Sequence, residues 1–481
     1  MSISQSLSNA VSGLTATSRM AEVVSSNLSN ALTEGYGRRV VAVSAQTVGG
    51  SSAGVKVDGI VRIVDRGIIS ERRLADAALG GADRMTAALG KLELSFSAPD
   101  DPAGVGGRLI ALETALGAAA TDPASDQRLS LVLTRLGELT MTLGQAGRTV
   151  QGLRQEADAD IARDVDTLNT TLEQVHKLNL DIARLTIQGV DPSGLMDQRQ
   201  VAIDRIAGIV PLREVQQKNG AVALWSASGA QLLDGSPVKI AFTPTRVITE
   251  DMTIASGAIQ GLTINGLPAG RDGVGRLDGG SLGASFQLRD VTLVDAQTGL
   301  DQVAADLISR FADPTVDPTV APGTAGLLTD AGGPHDPADI VGLSQRIAVN
   351  PAVDPARGGA LSRLRDGVQA GTAGAIGQSA QLNRYTDALN ARYSIDPAIA
   401  PSTALGQVAR VANLFAAARL SGDETQSFAT ARRDSLMASE LATGVDSDAE
   451  LQMLLRVEQA YAANAKVMET IQTLIQRLME I

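Results

Sequence analysis

The 481-residue chain is predicted to be mainly α with a β insert: terminal coiled-coil helices, a long-helix bundle domain, and a small antiparallel β domain inserted mid-chain. Three observations carry that prediction. Both ends place apolar residues at alternating spacings of four and three, the seam that paired helices need to keep facing one another. Long helical stripes fill much of the stretch from about residue 65 to 210. Turn dipeptides (Asn219-Gly220, Ser228-Gly229, Asp234-Gly235, Asn265-Gly266, Asp272-Gly273) then cut 213–282 into short apolar runs, the mark of hairpins.

Composition narrows the function. Hydrophobic residues make up 44% and aromatics only 2%, so the cores must be aliphatic and Ala-rich. With 41 basic against 53 acidic residues the net charge is −12, which opposes nucleic-acid binding, where cations supply most of the affinity. No stretch approaches the roughly 18 consecutive apolar residues of a membrane span. The absence of cysteine excludes disulfides, Cys-ligated zinc and thiol catalysis. The first residues lack the cationic and apolar blocks of a secretory leader, so any export is expected to proceed without a cleaved signal peptide.

The N-terminal seam runs through Ile3, Leu7, Ala10, Leu14, Thr17, Ala21, Val24, Leu28 and Ala31. Rich in Ala and Thr, it buries little by itself and calls for a partner helix. Thr33 to Arg38, with Gly35 and Gly37, reads as a turn. Arg39 to Ala45 and Val55 to Ile63 read as strands of a short hairpin near 39–63, turning across 49–54. Helical spacing resumes from Ala75 to Phe96 and stops at Pro99. Asp122-Pro123 has the form of a helix start, with Asp as cap and Pro at the first helical position. Two stripes follow, Leu129 to Leu143 and Val150 to Leu185, ended by Gly189 and Asp191-Pro192. Another helix, Leu195 to Ile209, ends at Pro211.

Trp225 is expected to pack within the β insert. Helix returns from Leu288 to Phe311, the Pro- and Gly-rich Asp313 to Gly359 should be irregular, and helical patterns follow in 360–393 and 405–441. The last seam is Leu454, Val457, Tyr461, Asn464, Met468, Ile471, Ile475 and Leu478, where Asn464 either fixes register from within the seam or faces a wet groove and breaks the stripe. The nested order implies discontinuous domains: a terminal coil of 1–35 plus 442–481, a helical bundle of 36–212 plus 283–441, and a β domain of 213–282.

Motifs for chemistry are sparse. Gly279-Gly280-Ser281-Leu282-Gly283 matches the nucleophile elbow G-x-S-x-G, which would make the chain a secreted serine hydrolase. The Gly- and Asp-rich stretch before it is a poor core strand, and the only histidines are His176 and His335. A turn leading out of the β domain is the competing reading. Gly104 to Gly107 precedes a helix but lacks the strand and the Lys-Ser/Thr pair of a phosphate loop. Asp272, Asp278, Asp313 and Asp317 do not match a calcium loop, and two histidines without cysteine leave no zinc site. No catalytic residue, cofactor or metal is expected.

One resemblance is specific. Residues 12–39 hold Ser12-Gly13-Leu14-Thr15-Ala16, then Ser26-Asn27-Leu28-Ser29-Asn30-Ala31-Leu32-Thr33-Glu34-Gly35-Tyr36-Gly37-Arg38. This resembles the N-terminal signature of bacterial flagellar rod, hook and hook-associated proteins. Gly444 to Glu450 and Gln459 to Val467 look like the C-terminal signature of the same family. Asp122-Pro123-Ala124 with Gln127-Arg128, and Leu195-Met196-Asp197-Gln198-Arg199 with Ile203, are similar to internal motifs of the hook-associated protein 1 branch. Gly37 and Arg39 depart from the usual Thr and Gln, and the long β insertion many relatives carry after residue 312 is missing.

The resemblance implies a structural axial protein of the extracellular flagellum, at the junction between hook and filament. It implies export through the flagellar type III apparatus and polymerisation through the terminal helices into a ring. The implied partners are other copies of the chain, the hook protein, a second junction protein on the filament side, and an export chaperone at the C-terminal helix. A different axial component, rod or hook protein, is the alternative within the family, and long helices rather than β structure in the middle count against it.

Overall fold

The computed structural model describes residues 3–48, 51–96, 101–395 and 400–480. The chain begins with helix α1 (Ile3–Ser29) and an antiparallel hairpin of β1 (Arg38–Val48) and β2 (Ser51–Ile63). The hairpin is longer than the sequence pattern suggests because pairing continues through two register shifts, at Ala42/Val43 and Gln46/Thr47. The expected turn at residues 49–50 and the helix stop at Pro99 lie outside the described residues. Helices α2 (Arg66–Phe96) and α3 (Val105–Thr121) follow.

Helix α4 (Asp126–Ile187) then runs 62 residues without interruption, about 93 Å at the standard rise per residue. No proline falls inside it, and the two stripes expected from the sequence are one helix. Its start corrects one expectation. Asp122 closes α3, and the cap of α4 is Ser125, whose hydroxyl accepts the Arg128 amide. The Asp122-Pro123 step is the turn of an antiparallel helix pair, in which Arg108 reaches Glu138. A short helix, α5 (Ser193–Ala207), comes next.

The β insert contains β3 (Leu212–Gln216), β4 (Val222–Ser226), β5 (Gln231–Asp234) and β6 (Ser236–Pro237) in one antiparallel sheet. A second, smaller sheet holds β7 (Ile240–Ala241), β8 (Thr263–Ile264) and β9 (Leu267–Pro268). Trp225 sits half-buried on β4, opposite Arg213 and Gln231. Helix α6 (Gly280–Gln287) continues through one π turn into α7 (Leu293–Ala312), so helix resumes eight residues before the apolar stripe declares it.

From 313 the chain is mostly irregular, holding a small hairpin of β10 (Leu328–Asp330) and β11 (Ile347–Val349) and the one-turn helix α8 (Leu343–Arg346). The continuous helix expected over 360–393 is two short ones, α9 (Ser362–Asp366) and α10 (Ala380–Asn390). Gly367, at φ 106°, and the polar, Gly-rich stretch after it break the pattern. Last come α11 (Ala404–Ala442) and α12 (Ser447–Met479). Helices α2 and α11 run antiparallel, tied by Arg419 to Glu93, Gln426 to Asp83 and Arg72 to Glu440, with Phe96 edge-on to Phe415.

Two hydrophobic clusters share α4. Its first half, Leu129 to Ala157, packs with α3, α7, α10 and the start of α11. Its second half, Ile161 to Val175, packs with α5, α6 and the β insert through Leu224, Leu232, Leu233 and Ile240. A buried polar layer separates them. Arg154, fully buried, donates to the Arg289 and Met252 carbonyls, and Asp158 pairs with the equally buried Arg289 at 2.5 Å. Every guanidinium nitrogen of Arg154 and Arg289 has an acceptor, which a buried guanidinium needs.

Candidate assembly site at the terminal helices

Helices α1 and α12 pair antiparallel, since Asn27 meets Glu450 at one end and Gly13 lies against Asn464 further along. Of the N-terminal seam, Val24 is buried, Leu7 and Leu14 are half-buried, and Ile3 and Leu28 are exposed. On α12, Val457 and Ile471 are buried at 5% exposure, Leu454, Asn464 and Met468 are half-buried, and Tyr461 and Ile475 are exposed. The Leu478 side chain lies outside the described residues. A Cβ on Gly13 would stand 2.8 Å from the Asn464 amide nitrogen, so glycine permits the close approach at this polar position. The adjacent face of α1 meets the hairpin, where the Ser12 hydroxyl accepts the Val55 amide.

Glycine-rich sequence after α1 turns the chain back and folds a polar joint around Asn27. The Asn27 side chain, 1% exposed, accepts the Arg39 amide at 3.0 Å and donates to the Arg39 carbonyl at 2.8 Å, mimicking a strand partner. It also accepts the Tyr36 hydroxyl at 2.9 Å, and Ser26 stands 3.2 Å from the same hydroxyl. Asn30 donates to the Ser26 carbonyl, and Gly35 takes φ 73° to make the turn. Glu450, also 1% exposed, receives Arg38 at 2.7 Å and Asn27 at 3.1 Å. A carboxylate on the first turn of α12 is favoured by the helix dipole, which complements this contact.

Helix α5 clamps the other side. Asp197 accepts the Gly37 amide, Arg39 and Arg62, the last two at 2.7 Å. Gln200 accepts Arg62 at 2.6 Å and donates to Glu440 on α11. Asp204 binds Arg72 and Arg73 of α2, and Arg73 also reaches Glu214 on β3. Burial would depress the Arg72 guanidinium, but the carboxylates of Asp204 and Glu440 hold it above the ordinary arginine range. Arg199 is 6% exposed and among the described residues its side chain bonds only the Asn179 and Gly220 oxygens; burial pulls its pKa down to about 10, with Glu214 opposing. Gln198 is exposed and takes no part in this network.

The joint therefore brings together Ser26, Asn27, Asn30, Gly35, Tyr36, Arg38 and Asp197. Arg39 and Glu450, both within the signature stretches, complete it together with Arg62, Gln200, Asp204 and Glu440, which the sequence reading did not single out. One signal was present: Asp197, Gln200 and Asp204 recur at spacings of three and four, a polar stripe on one face of a helix.

The elbow-like motif does different work. Gly280, at φ 61°, lies where a Cβ would strike the Ile209 carbonyl, and the Ser281 and Leu282 amides donate to Gly208 and Ile209. Ser281 donates its hydroxyl to Asp164 at 2.7 Å, and no histidine is bonded to it among the described residues. No cluster of three metal-ligating acids or histidines occurs among the described residues, and no helix there is long and apolar enough to cross a membrane.

Residues 89–315 match the family described as the flagellar hook-associated protein FlgK helical domain, and residues 7–36 match the flagella basal body rod protein family. Flagellar hook-associated protein 1 of Bacillus subtilis is 26% identical over 235 residues, covering 46% of this chain and 46% of that protein. The protein of the same name from Escherichia coli is 28% identical over 323 residues, covering 64% of this chain and 56% of its own length. The solved flagellar hook junction protein FlgK from Burkholderia pseudomallei aligns with TM-score 0.45 at 18% identity, covering 55% of this chain and 47% of that one. The matches thus span about half the length of these curated relatives.

Proposed function

We infer, from the match of residues 89–315 to the flagellar hook-associated protein FlgK helical domain and of residues 7–36 to the flagella basal body rod protein family, that the molecule is a structural subunit of the bacterial flagellum at the junction between hook and filament. The observation that carries this is the state of α12. Helix α1 covers one side of it, while Leu451, Leu455, Val467, Leu474 and Met479 stand 44–83% exposed along the rest. An apolar surface of this length on a helix already paired once calls for further helices. Neighbouring copies would supply them in a ring, between the hook protein on one side and a second junction protein on the other. Before export the same surface is the natural grip for a chaperone.

The rod-type match at 7–36 would by itself equally suit a rod or hook component; the helical-domain match at 89–315 favours the hook-associated reading.

Leu455→Asp and Val467→Asp change only exposed positions, so the monomer should fold as before. Added to hooks lacking their filament, the unaltered protein should assemble and both variants should fail. Normal assembly by both would refute a role for this face. In cells, loss of the gene should leave hooks intact while filament protein is shed into the medium.

A further inference from the structure

Beside the joint lies a cleft of about 170 Å³, walled by Arg62, Arg66, Arg73 and Arg199, with Glu214 as its only acidic lining residue and an apolar floor that includes Ile69 and Ile203. On a chain of net charge −12 such a concentration of guanidinium is out of character. Two of the four arginines are committed, Arg62 to Asp197 and Gln200, and Arg73 to Asp204 and Glu214. Glu214 is itself spent on Arg73 and Gln216.

Arg199 and Arg66 are not committed. Arg199 is buried, yet its bonds go to two neutral oxygens, and among the described residues it forms no ion pair. The Arg66 side chain, exposed at the rim, has no hydrogen bond or ion pair among the described residues. A buried guanidinium with no ion pair of its own is costly, and here an open cavity stands beside it, with Glu214 acting on it only from beyond ion-pair distance. Its volume is several times the ~30 Å³ that a water occupies in the liquid, enough for a polyatomic anion. A second depression, bordered by Asp65 and Thr443, shares Arg62, Val64 and Arg66 with the cleft.

We propose that this cleft is an oxyanion-binding site, in which Arg199 from the floor and Arg66 from the rim grip a phosphate- or carboxylate-bearing ligand. The planar fork of arginine binds such groups through paired hydrogen bonds, which lysine does not do. The position matters, because the same cleft is walled by Arg62 and Arg73, which hold the hairpin and α2 against α5. An anion seated there would tighten the joint between the terminal coil and the body.

The probe is inorganic phosphate, titrated into the full chain against sodium chloride at equal ionic strength. Saturable binding by calorimetry and a melting temperature rising with phosphate beyond the chloride control are expected. Arg66→Met should fold normally and bind phosphate about tenfold more weakly; Arg199→Met should lose saturable binding. Because Arg199 is buried, Arg66→Met decides the matter if the other variant does not fold. Phosphate behaving like chloride, or binding Arg66→Met as it binds the unaltered chain, would overturn the proposal. Sedimentation separates the two sources of anion: phosphate suppresses self-association if a second copy lends a carboxylate, and leaves it unchanged if the ligand is a free oxyanion.

Discussion

Replacing Asp197 by Asn preserves side-chain size and removes one charge from the point where the hairpin is held to α5. In the structure this carboxylate takes two guanidiniums at 2.7 Å and the Gly37 amide at 3.0 Å, with Arg39 and Arg62 side chains only 19% and 11% exposed. Hydrogen bonds to charged groups contribute about 1.5–3 kcal/mol each, which would put two of them near 3–6. Arg62 keeps the Gly35 carbonyl and Gln200, so the lower end applies, about 3 kcal/mol. At ~1.4 kcal/mol per decade, that is roughly a hundredfold in a local opening equilibrium. Native-state hydrogen exchange reads this directly: β1 amides from Val40 to Val43 should exchange about a hundredfold faster, while Leu136 and Leu139 of α4 are unchanged. A hairpin whose protection moves less than about threefold would show that Asp197 does not hold it. Equal loosening of α4 would show that the joint and the bundle are one cooperative unit.

Gly13→Leu should drive a side chain into Asn464 and part α12 from α1, seen as faster exchange along α12 with the core melting unchanged; an unaltered α12 would refute the close contact. Leu136→Ala, at a position with no exposure, should cost about 2–5 kcal/mol in urea unfolding. Ser281→Ala should destabilise by about 1 kcal/mol at pH 7 and progressively less in acid. Burial holds the Asp164 carboxyl above its ordinary value and the Ser281 bond opposes that rise, so the lost bond penalises only the ionised form. Stability owed to Asp164 therefore falls as pH rises through its folded value, and the variant's extra cost fades toward the unfolded value of 3.8; equal costs at both pH values would contradict this. Replacing residues 216–276 by a linker would uncover Ile161, Val165, Leu168, Leu172 and Val175, and that protein should be recovered aggregated rather than soluble.

Periodicity made the terminal helices, α4, α7 and α11 legible, because each repeats an apolar stripe over several turns. Helix ends were harder to read. Asp122-Pro123 has the chemistry of a start, yet Ser125 holds the cap, since the preceding helix extends to Thr121 and consumes the aspartate as its end. The stretch 360–393 has helical spacing but also Gly367 and Gly371, and only tertiary contacts decide that the chain turns there. At the joint, Asn27, Tyr36 and Asp197 were visible through their motifs. Arg62 was not, and although Glu450 lay in the C-terminal signature its pairing was not legible: these contacts join residues 412 and 135 positions apart from their partners Arg38 and Asp197, and no local spacing encodes such distances.

Helix α4 gives the two hydrophobic clusters a common spar. A hinge needs a segment that can change its backbone angles, and between Asp126 and Ile187 every residue is bound into one helical ladder. Bending the molecule at its middle would mean breaking that ladder across the buried layer of Arg154, Asp158 and Arg289. A push applied to the β insert is thus delivered to the far bundle with little slack, as along a strut. In the junction role proposed above, such stiffness would keep the two clusters from flexing against each other under load.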